Sequence, residues 1–180
     1  MARTRVYVDV DGVINAFPGS PLPETWEDWD QKIVLGYMIT YSPQLLRALE
    51  ELAELPDVEM VWLTTWQKHA VVDLCPALGL DGDKWRVIDT RDNYPGRWDT
   101  NTNWWKRREL YKDLASSPVD RVVWLDDDHN AYGVKLEHLE DDIEGTKFHV
   151  VTPITHMGLT PEHVRGIIEF VTETPEELVD

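Results

Sequence analysis

Short apolar, β-branched runs alternate along the chain with stretches whose apolar residues recur every three or four positions. The first run, Val6 to Val10 (VYVDV), predicts a buried strand. Ser42 and Pro43 open a helix, the serine as N-cap and the proline at the first helical position. Leu45, Leu46, Leu49 and Leu52 form its apolar stripe, and Pro56 stops it. Val58 to Thr64 (VEMVWLT) predicts a second strand, 67–78 a helix ended by Gly79, and Trp85 to Ile88 a short strand. Residues 89–102, rich in Asp, Arg, Asn, Thr, Pro and Gly, read as a loop, followed by a helix from about Asn103 to Ala115. Arg121 to Leu125 (RVVWL) and Lys147 to Thr152 (KFHVVT) predict two more strands. Thr160-Pro161-Glu162 starts a last helix with Val164, Ile167, Ile168 and Val171 on its apolar face.

Strands alternating with helices imply βαβ units, so the expected fold is α/β: a three-layer sandwich, its central parallel sheet covered by helices on both faces. One domain is expected over 1–173, with 174–180 a frayed tail. The insert at about 15–41 is too short for a second domain. It carries Trp26, Trp29 and a candidate strand, Lys32 to Thr40, and reads as a small flap or hairpin.

Composition narrows the function. The chain has 180 residues with 17 basic and 34 acidic side chains, a net charge of −17. Such a surface repels nucleic-acid backbones and anionic lipid, although a local basic face can survive within it. Extended duplex binding is therefore not expected. The single cysteine, Cys75, forms no intramolecular disulfide and suits a small apolar core position in a reducing cytoplasm. No signal-peptide pattern or run of about 18 apolar residues points to secretion or a membrane. The six histidines match no zinc spacing.

In parallel sheets ligands gather at the carboxyl ends of the strands. There the chain places Asp9-Val10-Asp11-Gly12, Thr64-Thr65 and Asp126-Asp127-Asp128. Like charges brought that close oppose joint ionisation, so a hard cation is expected among them. Oxygen-only ligands suit Mg²⁺, which takes one or two carboxylates plus a substrate phosphate. Gly12 lets the backbone turn tightly beside that ligand. A calcium loop does not fit: the next ligand position after Asp11 is Val13, and the closing glutamate is missing.

VYVDVDGVIN, WLTTW, WWKRREL and VVWLDDD, in this order, resemble the four motifs of the haloacid dehalogenase (HAD) superfamily across nearly the whole chain. The likeness is closest to small bacterial and phage members in which a Gly-Leu-Thr-Pro-Glu-His segment, here Gly158 to His163, follows the last motif. The resemblance implies a phosphatase with Asp9 as nucleophile, forming an aspartyl-phosphate, and Asp11 as general acid and base. It implies Thr64 as the hydroxyl that binds the phosphoryl oxygens, with Thr65 as its rival. Lys106 would be the balancing cation, with Lys84 as runner-up. Mg²⁺ would be held by Asp9, the backbone carbonyl of Asp11, and Asp126 or Asp127. Gly12 and Arg107 join Thr65 as expected substrate contacts. Members with minimal caps resemble open sites for large substrates.

Residues 86–112 hold seven of the basic side chains against four acids and surround Lys106. Tyr94, Trp98, Trp104 and Trp105 lie among them, with Trp104 and Trp105 together read first as packed on the sheet. Basic and aromatic groups together suit a phosphate with a stacked base, so a nucleotide or a nucleic-acid end is the expected substrate. Two other readings remain: an end-processing module working with partners, and a non-catalytic binding protein on the same fold.

Overall fold

The computed structural model describes residues 2–17, 22–90 and 104–173. Arg91, Tyr94, Arg97 and Trp98, most of the expected 89–102 loop and the 174–180 tail lie outside the described residues.

Among the described residues, seven strands and five α-helices follow in the order β1 (Thr4–Val8), β2 (Asp30–Val34), β3 (Tyr37–Tyr41), α1 (Pro43–Ala53), β4 (Val58–Trp62), α2 (Cys75–Leu78), β5 (Arg86–Val87), α3 (Trp105–Ser116), β6 (Arg121–Leu125), α4 (Leu136–Asp142), β7 (Lys147–Val151) and α5 (Pro161–Thr172). Five of the strands form one sheet in the order β5-β4-β1-β6-β7, and every pairing in it is parallel. This is the expected Rossmann-like α/β core.

Side-chain alternation along the strands divides the core in two. Val6, Val8, Met60, Trp62, Val123 and Leu125 pack on one face with the leucines of α1, Leu74 to Leu78 around α2, and Ile167 of α5. Tyr7, Val61, Leu63, Val122 and Trp124 pack on the other with Leu110 and Leu114 of α3 and Leu139 of α4. By the same alternation Asp9 and Asp126, just past β1 and β6, point to the α3 side.

Several elements differ from expectation for local reasons. β1 ends at Val8, not Val10, so Asp9 sits at the strand's lip. The expected helix over 67–78 is a π turn, Ala70–Leu74, running into α2. Pro76 has no N–H to give to a ladder, and the Cys75 N–H reaches five residues back to the Ala70 carbonyl. The expected strand over Lys32 to Thr40 is an antiparallel hairpin, β2 and β3, turning at Leu35 and Gly36. On α5, Val164 and Ile167 are buried, whereas Ile168 is exposed. Helix α4 had no counterpart in the pattern: Leu136–Asp142 has no capping side chain and buries one residue, Leu139. Cys75 is fully buried, and burial pushes its thiol up to about 12. No helix among the described residues is long and apolar enough to cross a membrane.

Candidate active site

The register puts the chemistry together. The Asp9 N–H donates to the Leu125 carbonyl, the Leu63 N–H to Val8, and the Asp126 N–H to Val151. Asp9 therefore stands between Leu63 and Asp126 at the carboxyl end of the sheet. Helix α3 crosses above, and Lys106, in its first turn, drops its ammonium between the acids: Nζ is 2.5 Å from Asp9 Oδ2 and 2.6 Å from Asp126 Oδ2. All three side chains are buried. Burial works against the ammonium, but the charges of Asp126 and Asp9 outweigh it and hold the Lys106 pKa above its ordinary value. Burial pushes the Asp126 carboxyl well up, against the pull of Lys106. Lys84 is mostly exposed, paired with Asp81, and takes no part in this cluster.

Asp127 completes the group. Ligand oxygens of Asp9, Asp126 and Asp127 lie within 4.8 Å of one another. With all three ionised, the carboxylates would leave two negative charges beyond the one ammonium, the charge of one divalent cation. The donor set is all oxygen, as hard cations prefer. Thr155 Oγ1 donates to Asp127 Oδ2 at 2.6 Å, and the Asp128 N–H donates to Asp126 Oδ1 at 3.0 Å. Asp128 itself is exposed. Gly12 shapes the cradle: its φ is +73°, and a Cβ there would lie 2.1 Å from Asp127 Cγ. Only glycine admits both the backbone angle and the approach of that carboxylate.

The Asp11 side chain turns the other way. Its Oδ1 accepts from Asn15 Nδ2 at 2.8 Å and its Oδ2 from Trp66 Nε1 at 2.9 Å. Burial raises its pKa, opposed by these two donors. The side chain is thus outside the carboxylate cluster, held as a separate group by Asn15 and Trp66. Asn15 and Trp66 were not singled out from the sequence. Their signal, an amide four residues after Asp11 and an indole after the Thr-Thr pair, has meaning only once the strand ends are aligned.

Thr64 is buried at the end of β4, where its Oγ1 accepts the Trp66 N–H at 3.3 Å; Thr65 is exposed. Arg107 is half-buried in the first turn of α3. Trp104 and Trp105 are both buried, as the packed reading expects, and neither is an open stacking surface. Trp104 instead stacks on Trp124 at 5.1 Å and on Tyr132 at 4.7 Å. His129 is an interior group held edge-on by Trp104 and Trp124, its Nδ1 3.1 Å from Thr152 Oγ1. Burial lowers its pKa to about 3, so it stays neutral.

The Gly158-to-His163 segment also gains a physical account. Gly158, at φ +65°, lies where a Cβ would meet the Val13 carbonyl at 2.8 Å. Leu159 is buried and its N–H donates to that same carbonyl. Thr160 and His163 form a capping box at the start of α5. The segment therefore presses on the turn that follows Asp9 and Asp11.

A parallel α/β sheet with acids at the ends of two neighbouring strands, and a lysine from the helix between them, defines a phosphatase-like protein of the HAD superfamily. Residues 5–164 match the family described as the HAD domain in Swiss Army Knife RNA repair proteins, and the chain belongs to that family. Comparison with curated proteins found no match, and comparison with solved structures found none.

Proposed function

We propose that this chain is a Mg²⁺-dependent phosphomonoester hydrolase acting on a nucleotide or nucleic-acid end. The observation that carries the reading is Lys106 bridging Asp9 and Asp126 within a three-carboxylate cluster. The family's name, which refers to RNA repair, supports the choice of a nucleic-acid end.

Asp9, Asp126, Asp127 and the backbone carbonyl of Asp11 would hold the Mg²⁺. When bound, the ion supplies the two missing positive charges and stabilises negative charge on the phosphoryl oxygens. The carboxylate of Asp9 attacks phosphorus, and the bond from phosphorus to the leaving oxygen breaks. Asp11 gives its proton to that oxygen, so the product leaves as an alcohol. A water then attacks the aspartyl-phosphate and passes a proton to Asp11. The phosphorus bond to Asp9 breaks, which returns both carboxyl groups to their starting states and frees inorganic phosphate. Thr64, the backbone around Gly12, Thr65 and Arg107 bind the phosphoryl oxygens. Lys106 holds Asp9 in position and offsets the incoming charge.

Phosphate release from p-nitrophenyl phosphate and from phosphorylated oligoribonucleotides, with and without Mg²⁺, tests the proposal. Wild-type turnover that needs Mg²⁺ and is lost in Asp9→Asn is expected. Equal rates in the two proteins would instead favour a binding protein on the same fold.

A further inference from the structure

The acid that protonates a leaving oxygen must touch it, so the leaving group lies on that acid's side of the site. On the reading above the acid is Asp11, and the neighbour that closes its side is Trp66, through the Nε1–Oδ2 hydrogen bond. Against the Trp66 ring stands Tyr37 of the hairpin, with centroids 6.0 Å apart and planes at 66°.

The placement of Tyr37 is unusual. In β3 it lies opposite Val34, and cross-strand partners share a face. Ile39, two residues on, is on that face as well. Val34 and Ile39 are both buried, so this face is turned onto the domain. Tyr37 shares it yet is 66% exposed. An inward-facing ring left open to water offers its surface to whatever occupies the space beside Trp66 and Asp11.

The hairpin has little else to offer a nucleic acid. Residues 22–41 contain Glu24, Glu27, Asp28 and Asp30 but one basic side chain, Lys32, whose Nζ donates to the Ala77 carbonyl at 2.6 Å. Acids there repel neighbouring phosphates, so attraction has to come from a ring face. We propose that Tyr37 is the stacking platform for the base of the leaving nucleoside, which makes the hairpin a device that selects nucleotide ends over phosphates lacking a base. Every base has a π-face, so this selection carries no sequence preference. The inference rests on the phosphatase reading, in which Asp11 is the acid.

Tyr37→Leu removes the ring, and Tyr37→Phe keeps it. The quantity read is the ratio of kcat/KM for a phosphorylated oligoribonucleotide to that for glycerol phosphate. Loss of one base stack predicts a fall in this ratio of about tenfold or more in Tyr37→Leu, through KM, and wild-type behaviour in Tyr37→Phe. A merely structural role lowers both activities together and leaves the ratio constant, which overturns the proposal. If wild-type protein with Mg²⁺ hydrolyses neither phosphate, the phosphatase reading fails separately. Titration of the same variants with the oligoribonucleotide, followed by tryptophan fluorescence, then decides for Tyr37: weaker binding in Tyr37→Leu supports the stack, and equal binding rejects it.

Discussion

Lys106 faces two carboxylates in a space closed to water, and removing it leaves both unpaired. Breaking one partner out of a buried ionic group costs on the order of 3–5 kcal/mol. Lys106→Met should therefore lower the urea midpoint sharply when no divalent ion is present, and Mg²⁺ should restore part of it by supplying the missing charge. Turnover should fall by about a hundredfold or more, as when a preorganised charge partner is lost from a transition state. A variant as stable as wild type without Mg²⁺ would mean that the acids are already neutral. Gly12→Ala tests the other wall. Its Cβ would collide with the Asp127 carboxylate, so Mg²⁺ affinity should drop about tenfold or more by calorimetry. Asp9, Asp126, Asp127 and Lys106 were legible in the sequence because strand ends and a helix start fix where they stand. Asn15 and Trp66 were not, because the partner of a side chain across 55 residues is decided by packing.

Elements with a local chemical signal were the most readable. Helix α1 begins where Ser42 and Pro43 said it would, with the serine hydroxyl accepting from the Gln44 and Leu45 N–H groups. Helix α4, which has neither cap nor stripe, left nothing to read. The π turn at Ala70–Leu74 was hidden because Pro76 signals only an interruption, not how the chain absorbs it. The cap of α5 is sensitive to pH. His163 Nδ1 accepts the Thr160 N–H at 3.1 Å, which requires that nitrogen to be unprotonated. Burial lowers the His163 pKa, with Glu162 opposing, and His149 nearby is lowered as well, by burial and by His163. A histidine with a depressed folded pKa contributes stability above its unfolded value near 6.5, and this is lost as pH falls through the folded value. Between pH 7 and pH 5 the wild type should lose unfolding free energy faster than His163→Gln, which keeps a capping acceptor without the titration. Parallel slopes in urea melts at the two pH values would show that the cap does not titrate.

Over the whole molecule the surplus of acid sets how a polyanion can approach. A net charge of −17 surrounds a site proposed to receive a nucleic-acid end, so the incoming chain is repelled until its terminus reaches Lys106 and the bound ion. Composition gave this field directly, while Arg91 and Arg97 lie outside the described part of the chain. The sign of the salt effect follows. Proteins that neutralise many phosphates lose affinity as salt rises, because counterions compete. Here salt screens repulsion instead: the Debye length falls from about 30 Å at 0.01 M to about 8 Å at 0.15 M, shorter than the reach of an oligonucleotide trailing from the site. At fixed Mg²⁺, kcat/KM for a phosphorylated oligoribonucleotide should rise over that range. The rise should grow with length, because each added phosphate sits in the protein's field, and it should nearly vanish for a mononucleotide. Initial rates at low substrate concentration, across a length series at the two ionic strengths, measure it. A steep fall with salt would instead require a continuous basic track along the chain, and with it a substrate gripped by its backbone rather than by its end.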